Sequence, residues 1–428
     1  MYASLIRKLK KTVQSDNFIA RHRKSSKDFT RTRQLPFHTL IFFLLNLVKG
    51  SLQEELDHFF KIINDTDLPE RVVTKSAFTL ARKKLQYSAL QTLNQEAVDF
   101  FYTQPAVRLW RGMRLLCIDG STVRLPTSQA ITEYFGTFFI NGNSCAMARI
   151  SQLYDPLNQI TIDGVIAPKS EGERALAVQH CEHITKNDLI LMDRGYHAFW
   201  LFALMLSKEA NFCCRVPLTV WTAVKNFHAS GKPEQRITIE PSVVSLMQCE
   251  KLGISSSPIT LRLIRVTLEN GEPEILMTSL LNETLYPQEI FKCLYHQRWG
   301  VEESYKTIKC RVQLENFTGL SVLAIYQDFY AKLLITNLAA IMSWQAQRVV
   351  DGKSEHKKYR YKVNLSQTIA RLKDSLVLLF IKGDITKLLT KLLHLCIITV
   401  DPIRPGRSYP RKKGGRMNIP SLIYRPGR

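Results

Sequence analysis

YHQRWGVEESYKTIK, Tyr295 to Lys309, places Tyr295, Arg298, Glu302 and Lys309 at steps of three, four and seven residues. An α-helix turns about 100° per residue, so these four would share a stripe about 60° wide. Leu294, Val301, Tyr305, Ile308 and Val312 gather on a neighbouring apolar stripe. Such a helix buries one face and presents an aromatic ring, two cations and a carboxylate on the next. Taken alone, the pattern also suits a solvated helix with an Arg298–Glu302 pair, which contributes only a few tenths of a kcal/mol. The remainder of the chain decides between the two.

The chain has 428 residues, 45% of them hydrophobic, and a formal net charge of +22. That length allows two or three domains with a sizeable core. The charge points to a polyanionic partner. It is uneven: residues 1–34 carry net +8 and residues 401–428 net +7. Phe18, Phe29, Tyr409 and Tyr424 interleave with these charges, which favours phosphate binding over mere solubility. The nine cysteines include no C-x-x-C pair, so neither a zinc spacing nor a disulfide framework is legible. The first residues lack the apolar core of a signal peptide, and Leu40 to Val48, broken by Asn46, is too short for a membrane span. The expectation is a soluble cytoplasmic protein, associated with the nucleoid through DNA and with no membrane partner.

Residues 1–108 read as a helical, DNA-binding N-terminal region, with 3.6-residue periodicity in SLQEELDHFFKII and in the long stretch from Val73 to Tyr102. The texture changes at Met113. Residues 109–217 read as strand, hairpin, helix, strand, helix, strand: MRLLCIDGSTVRLP, a hairpin turning near DPLNQ, EGERALAVQHCEHI, DLILMDRGY, AFWLFALMLSKE and NFCCRVP. That order predicts an α/β mixed sheet. Residues 218–282 read as a strand-rich insertion without helix signals, one hairpin turning at Asn270-Gly271. Residues 283–345 return to the core with the opening helix and an apolar one. Residues 346–428 read as a basic linker, further helices and a basic tail.

Asp119 ends one apolar strand, Asp193 ends another, and Glu302 lies on the later helix. Strand ends let carboxylates converge without entering the core. Three together repel and rise in pKa unless cations neutralise them. Two Mg²⁺ ions, for which Mn²⁺ may substitute, answer that need and supply phosphoryl-transfer chemistry. Arg298 and Lys309 then suit backbone phosphates, and Tyr295 a phosphate or a stacked base. Other acids read differently: Asp155 and Asp163 as turn residues, Asp188 as a cap and Glu303 as solvated or salt-bridged. Ser121 with a distant histidine makes no hydrolase, since no G-x-S-x-G is present.

Tyr-x2-Arg-x3-Glu-x6-Lys, IDGSTVRLP around Asp119, LMDRGY around Asp193, QLENFTG and the tail RPGRSYPRKK together resemble the insertion-sequence-four family of DDE transposases. The likeness runs from about Ile118 to Lys413. It implies an RNase H-like core with a β insertion and helical flanks, and metal ligation by Asp119, Asp193 and Glu302. It also implies cut-and-paste chemistry on double-stranded DNA: cleavage at the transposon end, then 3′-hydroxyl attack on target DNA, by a homodimer on DNA. Trp299 matches a tryptophan that some members carry inside the signature, and joins Tyr295, Arg298 and Lys309 as a DNA-binding candidate. Trp221 is a candidate for a base-flipping aromatic, with core or hairpin packing as its other reading. The alternatives are an RNase H-like nuclease without strand transfer, and a non-catalytic DNA-binding descendant of a transposase.

Overall fold

The computed structural model describes residues 1–404, except positions 32, 49, 141–142 and 269–270, and the side chains at 140 and 143. The tail from residue 405, with Tyr409 and Tyr424, and the Asn270 half of the expected turn lie outside the described residues. Six helices open the chain: α1 Tyr2–Gln14, α2 Asp16–His22, α3 Phe37–Leu44, α4 Leu52–Asn64, α5 Lys75–Arg82 and α6 Ser88–Tyr102. Then come β1 Arg114–Arg124, α7 Gln129–Phe135, β2 Thr137–Ile140, β3 Asn143–Asp155, β4 Ile160–Ala167, α8 Glu173–Gln179, β5 Asp188–Met192, α9 Phe199–Ser207 and β6 Asn211–Arg215. They are followed by α10 Thr222–Ser230, β7 Glu234–Ile239, α11 Val243–Leu252, β8 Ile259–Thr267, β9 Pro273–Thr278, α12 Ile290–His296 and α13 Trp299–Lys306. The last are α14 Val322–Ser354, β10 Arg360–Val363, α15 Leu365–Leu372, α16 Ser375–Ile381, α17 Thr386–Ile398 and β11 Val400–Ile403.

Two compact units result. One comprises Met1–Gln104, Arg124–Met147 and the chain from Lys306; the other comprises Pro105–Val123 and Ala148–Tyr305. The first is built around α14, which is buried along nearly its whole length from Ala324 to Ala346. A helix apolar all round must be wrapped by others, and α1, α3, α6, α15 and α17 pack on it. The polar groups that α14 carries inward are paired. Arg82 donates to Gln327 Oε1 and Asp328 Oδ1, each at 2.8 Å, and Asn337 donates to Asn94 Oδ1 at 2.8 Å. The helix runs on to Ser354, and β10 follows, where the sequence suggested only a basic linker.

The second unit holds the sheet. β1 pairs in parallel with β5, and β5 in parallel with β6. β3 lies on the other side of β1, with β4 antiparallel to it beyond. This is the strand order of an RNase H-like mixed sheet. Leu115 to Ile118, Leu189 to Met192 and Phe212 to Cys214 are all fully buried, as continuous apolar runs in parallel strands must be. β9, β8 and β7 then extend the same sheet in antiparallel pairing from β6. The stretch 218–282 is thus continuous with the core sheet, and it contains α10 and α11 where no helix was expected. Their signals are terminal: Ser242 accepts from Ser245 N, and Gly231 and Gly253 close the helices at φ +72° and +65°.

Candidate active site

The register Ile118↔Met192 between parallel neighbours puts Asp119 and Asp193 one residue further along. Asp193 follows the end of β5 as expected, but Asp119 lies within β1, which runs on to Arg124, because GSTVR stays extended after it. Adjacent strands lie about 4.8 Å apart, so the two carboxylates emerge side by side. Each is tied locally. Gly120 N donates to Asp119 Oδ1 at 2.9 Å, and Gly195 N donates to Asp193 Oδ1 at 2.7 Å. The backbone beneath them is braced by side chains. Tyr305 Oη donates to Asp119 O at 2.7 Å, Tyr295 Oη to Met192 O at 3.3 Å, and Cys214 Sγ to Asp193 O at 3.4 Å.

Glu302 arrives on α13, but not on the single regular helix expected from Tyr295 to Lys309. Between α12 and α13 the bonding tightens: Arg298 N donates to Tyr295 O, Gly300 N to Gln297 O and Val301 N to Arg298 O, all i→i−3. After Lys306 it loosens into a π turn over Thr307–Arg311, in which Val312 N donates to Thr307 O at 3.1 Å. The four-residue stripe is therefore not continuous. Lys309 falls in the other compact unit, and burial pushes its amine below the ordinary lysine range against the charge of Glu315.

Arg298 is the cation of the site. Its Nη2 lies 2.9 Å from Glu302 Oε1 and its Nη1 3.8 Å from Asp119 Oδ2. The guanidinium stands 5.7 Å from the ring centres of both Tyr295 and Trp299. Burial pushes the Asp119 carboxyl up to about 6; Arg298 and the Gly120 amide oppose the rise, while Asp193 and Glu302 add to it. That mutual influence places the three carboxylates in one electrostatic neighbourhood.

The other expected residues separate. Tyr295 is 8% exposed with its hydroxyl bonded to strand β5, where it braces the backbone before Asp193. Trp299 is 36% exposed beside Arg298. Trp221, half-buried, packs against Phe202 and His197. Asp163 is not a turn residue; it lies within β4 and binds His180. Asp188 pairs with Arg114 at 2.6 Å besides accepting from Thr185 N. Asp155 does hold its turn, accepting from Leu157 N and Asn158 N.

Glu173, at the start of α8, was not singled out by the sequence. A Cβ at Gly120 would meet its Oε1 at 3.4 Å, and one at Gly195 its Oε2 at 3.7 Å. The glycines of DGS and DRGY thus make room for a fourth carboxylate, and Arg174 beside it donates to Gly195 O at 2.8 Å. Only the two glycines hinted at this in the sequence.

The donors fit a hard divalent cation in kind, being carboxylate oxygens. Tyr196 Oη, buried without a hydrogen-bond partner, lies in the field of Asp119, Glu173 and Asp193, leaving a polar atom for such an assembly to satisfy. Among the described residues, however, no three His, Cys, Asp or Glu side chains stand close enough to hold one ion. The positive charge between Asp119 and Glu302 is that of Arg298.

Residues 110–338, more than half of the chain, match the family described as Transposase DDE domain. The chain is 24% identical over 316 residues to Transposase InsG for insertion sequence element IS4 of Escherichia coli K12, covering 72% of this chain and 70% of that one. It is 24% identical over 185 residues to the putative transposase InsZ of the same organism, covering 42% and 61%. Among solved structures, a piggyBac transposase synaptic complex with hairpin DNA aligns over 94% of this chain and 87% of its own, at 11% identity and a TM-score of 0.46. No described helix is long and apolar enough to cross a membrane. An enzyme whose acidic residues lie on or just after two neighbouring parallel strands and on a later helix, and whose sequence matches over this span, belongs to the DDE transposases, in the insertion-sequence-four family.

Proposed function

We propose that this transposase binds the terminal inverted repeats of its element, pairs two ends as a homodimer on DNA, cuts there and joins the freed 3′-hydroxyl to target DNA. The observation that carries the reading is the register Ile118↔Met192, which sets Asp119 beside Asp193 in the unit that also carries Glu302. Asp119, Asp193 and Glu302 are the residues that would hold Mg²⁺. Bound there, the ions would activate the attacking oxygen and stabilise the leaving one. The chain's own part is geometric: paired strands β1 and β5 fix the aspartates, and Arg298 keeps Glu302 turned toward Asp119. Arg298 and Lys309 supply positive charge to the DNA backbone, and Trp299 an exposed ring for stacking.

The N-terminal region supports DNA binding on its own terms. A cleft of about 920 Å³ lies between the Ser26–Leu35 segment and α5, rimmed by Lys27, Arg31, Arg33 and Lys84 over an apolar floor. A cationic rim over apolar walls suits a phosphodiester strand with its sugars and bases.

The test uses a duplex bearing the element's end, one form intact and one pre-cleaved with a free 3′-hydroxyl. Divalent-dependent nicking of the first and joined product from the second are expected. Nicking without joining would leave a nuclease, and neither, with binding intact, a DNA-binding protein. Glu302→Ala is expected to bind ends normally and nick none.

A further inference from the structure

A second polar assembly in the sheet-bearing unit is buried at Ser151 and His180 and reaches solvent only at Asp163, whose side chain is 19% exposed. His180, in the turn that follows α8, has Nδ1 2.7 Å from Asp163 Oδ2 and Nε2 2.9 Å from Ser151 Oγ. Ser151 Oγ in turn donates to the backbone oxygen of Asp119 at 3.3 Å. Ser151 and His180 are both 0% exposed. Serine, histidine and aspartate in this order have the connectivity of a hydrolase triad. A nucleophile must meet a substrate, however, and this hydroxyl faces only protein. Its hydrogen bond ends on a peptide oxygen of the active site.

We infer that Asp163, His180 and Ser151 form a positioning relay that fixes the peptide of Asp119, and through it the direction of the Asp119 carboxylate. The inference rests on the transposase reading of the site. The proton count sets the polarity. Serine has a single proton, and here it goes to Asp119 O. His180 Nε2–H then donates to Ser151 Oγ, and Nδ1 pairs with the Asp163 carboxylate. Burial pushes that carboxyl up, but the hydrogen bond and charge of His180, the charge of His183 and the Gly164 amide bring it below the ordinary range. Asp119 O thereby receives two hydroxyls, one from Ser151 on β3 and one from Tyr305 on α13. Its peptide plane is clamped from a strand and a helix at once, so the Cα–Cβ bond that aims the carboxylate keeps its direction. Residues 151, 163 and 180 lie on three separate elements, so the assembly also ties β3, β4 and the end of α8 together behind the site.

The test compares Ser151→Ala, Ser151→Thr and His180→Gln with the wild-type full chain. Nicking of an end duplex, end affinity, thermal midpoint and Mn²⁺ affinity without DNA are measured. Removing a group that orients a metal-binding residue lowers metal affinity or rate about 10- to 100-fold. Ser151→Ala and His180→Gln are expected to lose about tenfold or more in nicking and in Mn²⁺ affinity while holding end affinity within about twofold. Ser151→Thr, which keeps the hydroxyl, is expected to recover both. Wild-type nicking and Mn²⁺ affinity in the Ala and Gln variants would overturn the relay. So would variants whose midpoint falls but whose folded fraction nicks and binds Mn²⁺ as the wild type does. Absence of nicking in the wild type would remove the transposase reading instead, and the Mn²⁺ isotherms would still decide the relay.

Discussion

Gly300 lies against Pro156 so closely that a Cβ on it would stand 2.6 Å from Pro156 Cβ and 3.4 Å from Pro156 Cα. The contact seats the start of α13 on the β3–β4 turn, two residues after Arg298 and two before Glu302. No side chain fits there unless backbone moves.

Gly300→Ala is therefore expected to push α13 off the turn. Overpacking of this kind costs about 1–3 kcal/mol. The larger effect falls on the site, because Arg298 and Glu302 flank the displaced residue. Nicking should drop by at least about tenfold, since misplacement of the order of 1 Å costs that much and more, with end binding little changed. A nicking assay beside a thermal melt checks it. A variant that melts lower yet nicks normally would show that the contact serves stability alone.

Asp119 gives the protein a pH dependence of defined sign. Its carboxyl is raised from 3.8 to about 6. Between those values the folded chain holds more protons than the unfolded one, so metal-free stability falls as pH climbs from about 4 to 6 and stays low above. The loss is at most about 3 kcal/mol. Asp119→Asn should thus melt higher than the wild type at pH 7.5 without divalent ions, and the gap should close near pH 4. Mn²⁺ should raise the wild-type midpoint and weaken in this effect below pH 6, where protons compete for the same oxygen. Superimposable melts of the two proteins across this range would refute the shift.

Much of this was legible in the sequence, and the reason is local chemistry. A buried parallel strand must be an apolar run, so LLCID and LILMD announced β1 and β5; the acid after LILM marks the end of β5, whereas β1 runs past Asp119 to Arg124. The Tyr-Arg-Glu part of the signature survives as a local i,i+3 and i,i+4 arrangement. Lys309 does not join it, because hydrogen bonding changes from i→i−3 to i→i−5 along the stretch, and side-chain spacing carries no mark of that. The bond from Tyr295 to β5 was hidden for a related reason: periodicity gives a direction around a helix, not what lies there. Helices α10 and α11 were hidden by β-branched residues such as Val243 and Val244, with only their caps as signals. Glu173, Ser151 and His180 reach the site region through tertiary contacts alone.

In the first unit, Arg82 is expected to dominate stability. It pairs with Asp328 at 2.8 Å with both side chains 4% exposed, and also donates to Thr318 Oγ1 at 2.8 Å. Arg82→Ala orphans a buried carboxylate, at a cost of about 3–5 kcal/mol. Arg82→Met combined with Asp328→Leu removes both charges and should recover much of that loss. Urea denaturation of the single and double variants measures the difference. A double variant no more stable than Arg82→Ala would mean that the pair itself, not the orphaned charge, carries the energy.

The N-terminal cleft yields the last prediction. Lys27, Arg31 and Arg33 on its rim are separated along the chain from every carboxylate of the site, so their removal should separate binding from chemistry. Deleting one phosphate-binding cation should reduce the slope of log affinity against log salt by about 0.9. Arg31→Ala and Arg33→Ala should each weaken DNA binding by a similar factor on end and unrelated duplexes, because binding a phosphate carries no sequence information. Lys84 stands 3.7 Å from Asp28, and that partner already offsets part of its charge, so Lys84→Ala should shift the slope less. The rate of strand joining at saturating DNA should stay at the wild-type value in all three. Affinity that falls only on the element's own end would instead assign the rim to sequence recognition, and an unchanged salt slope would take the cleft out of the DNA interface altogether.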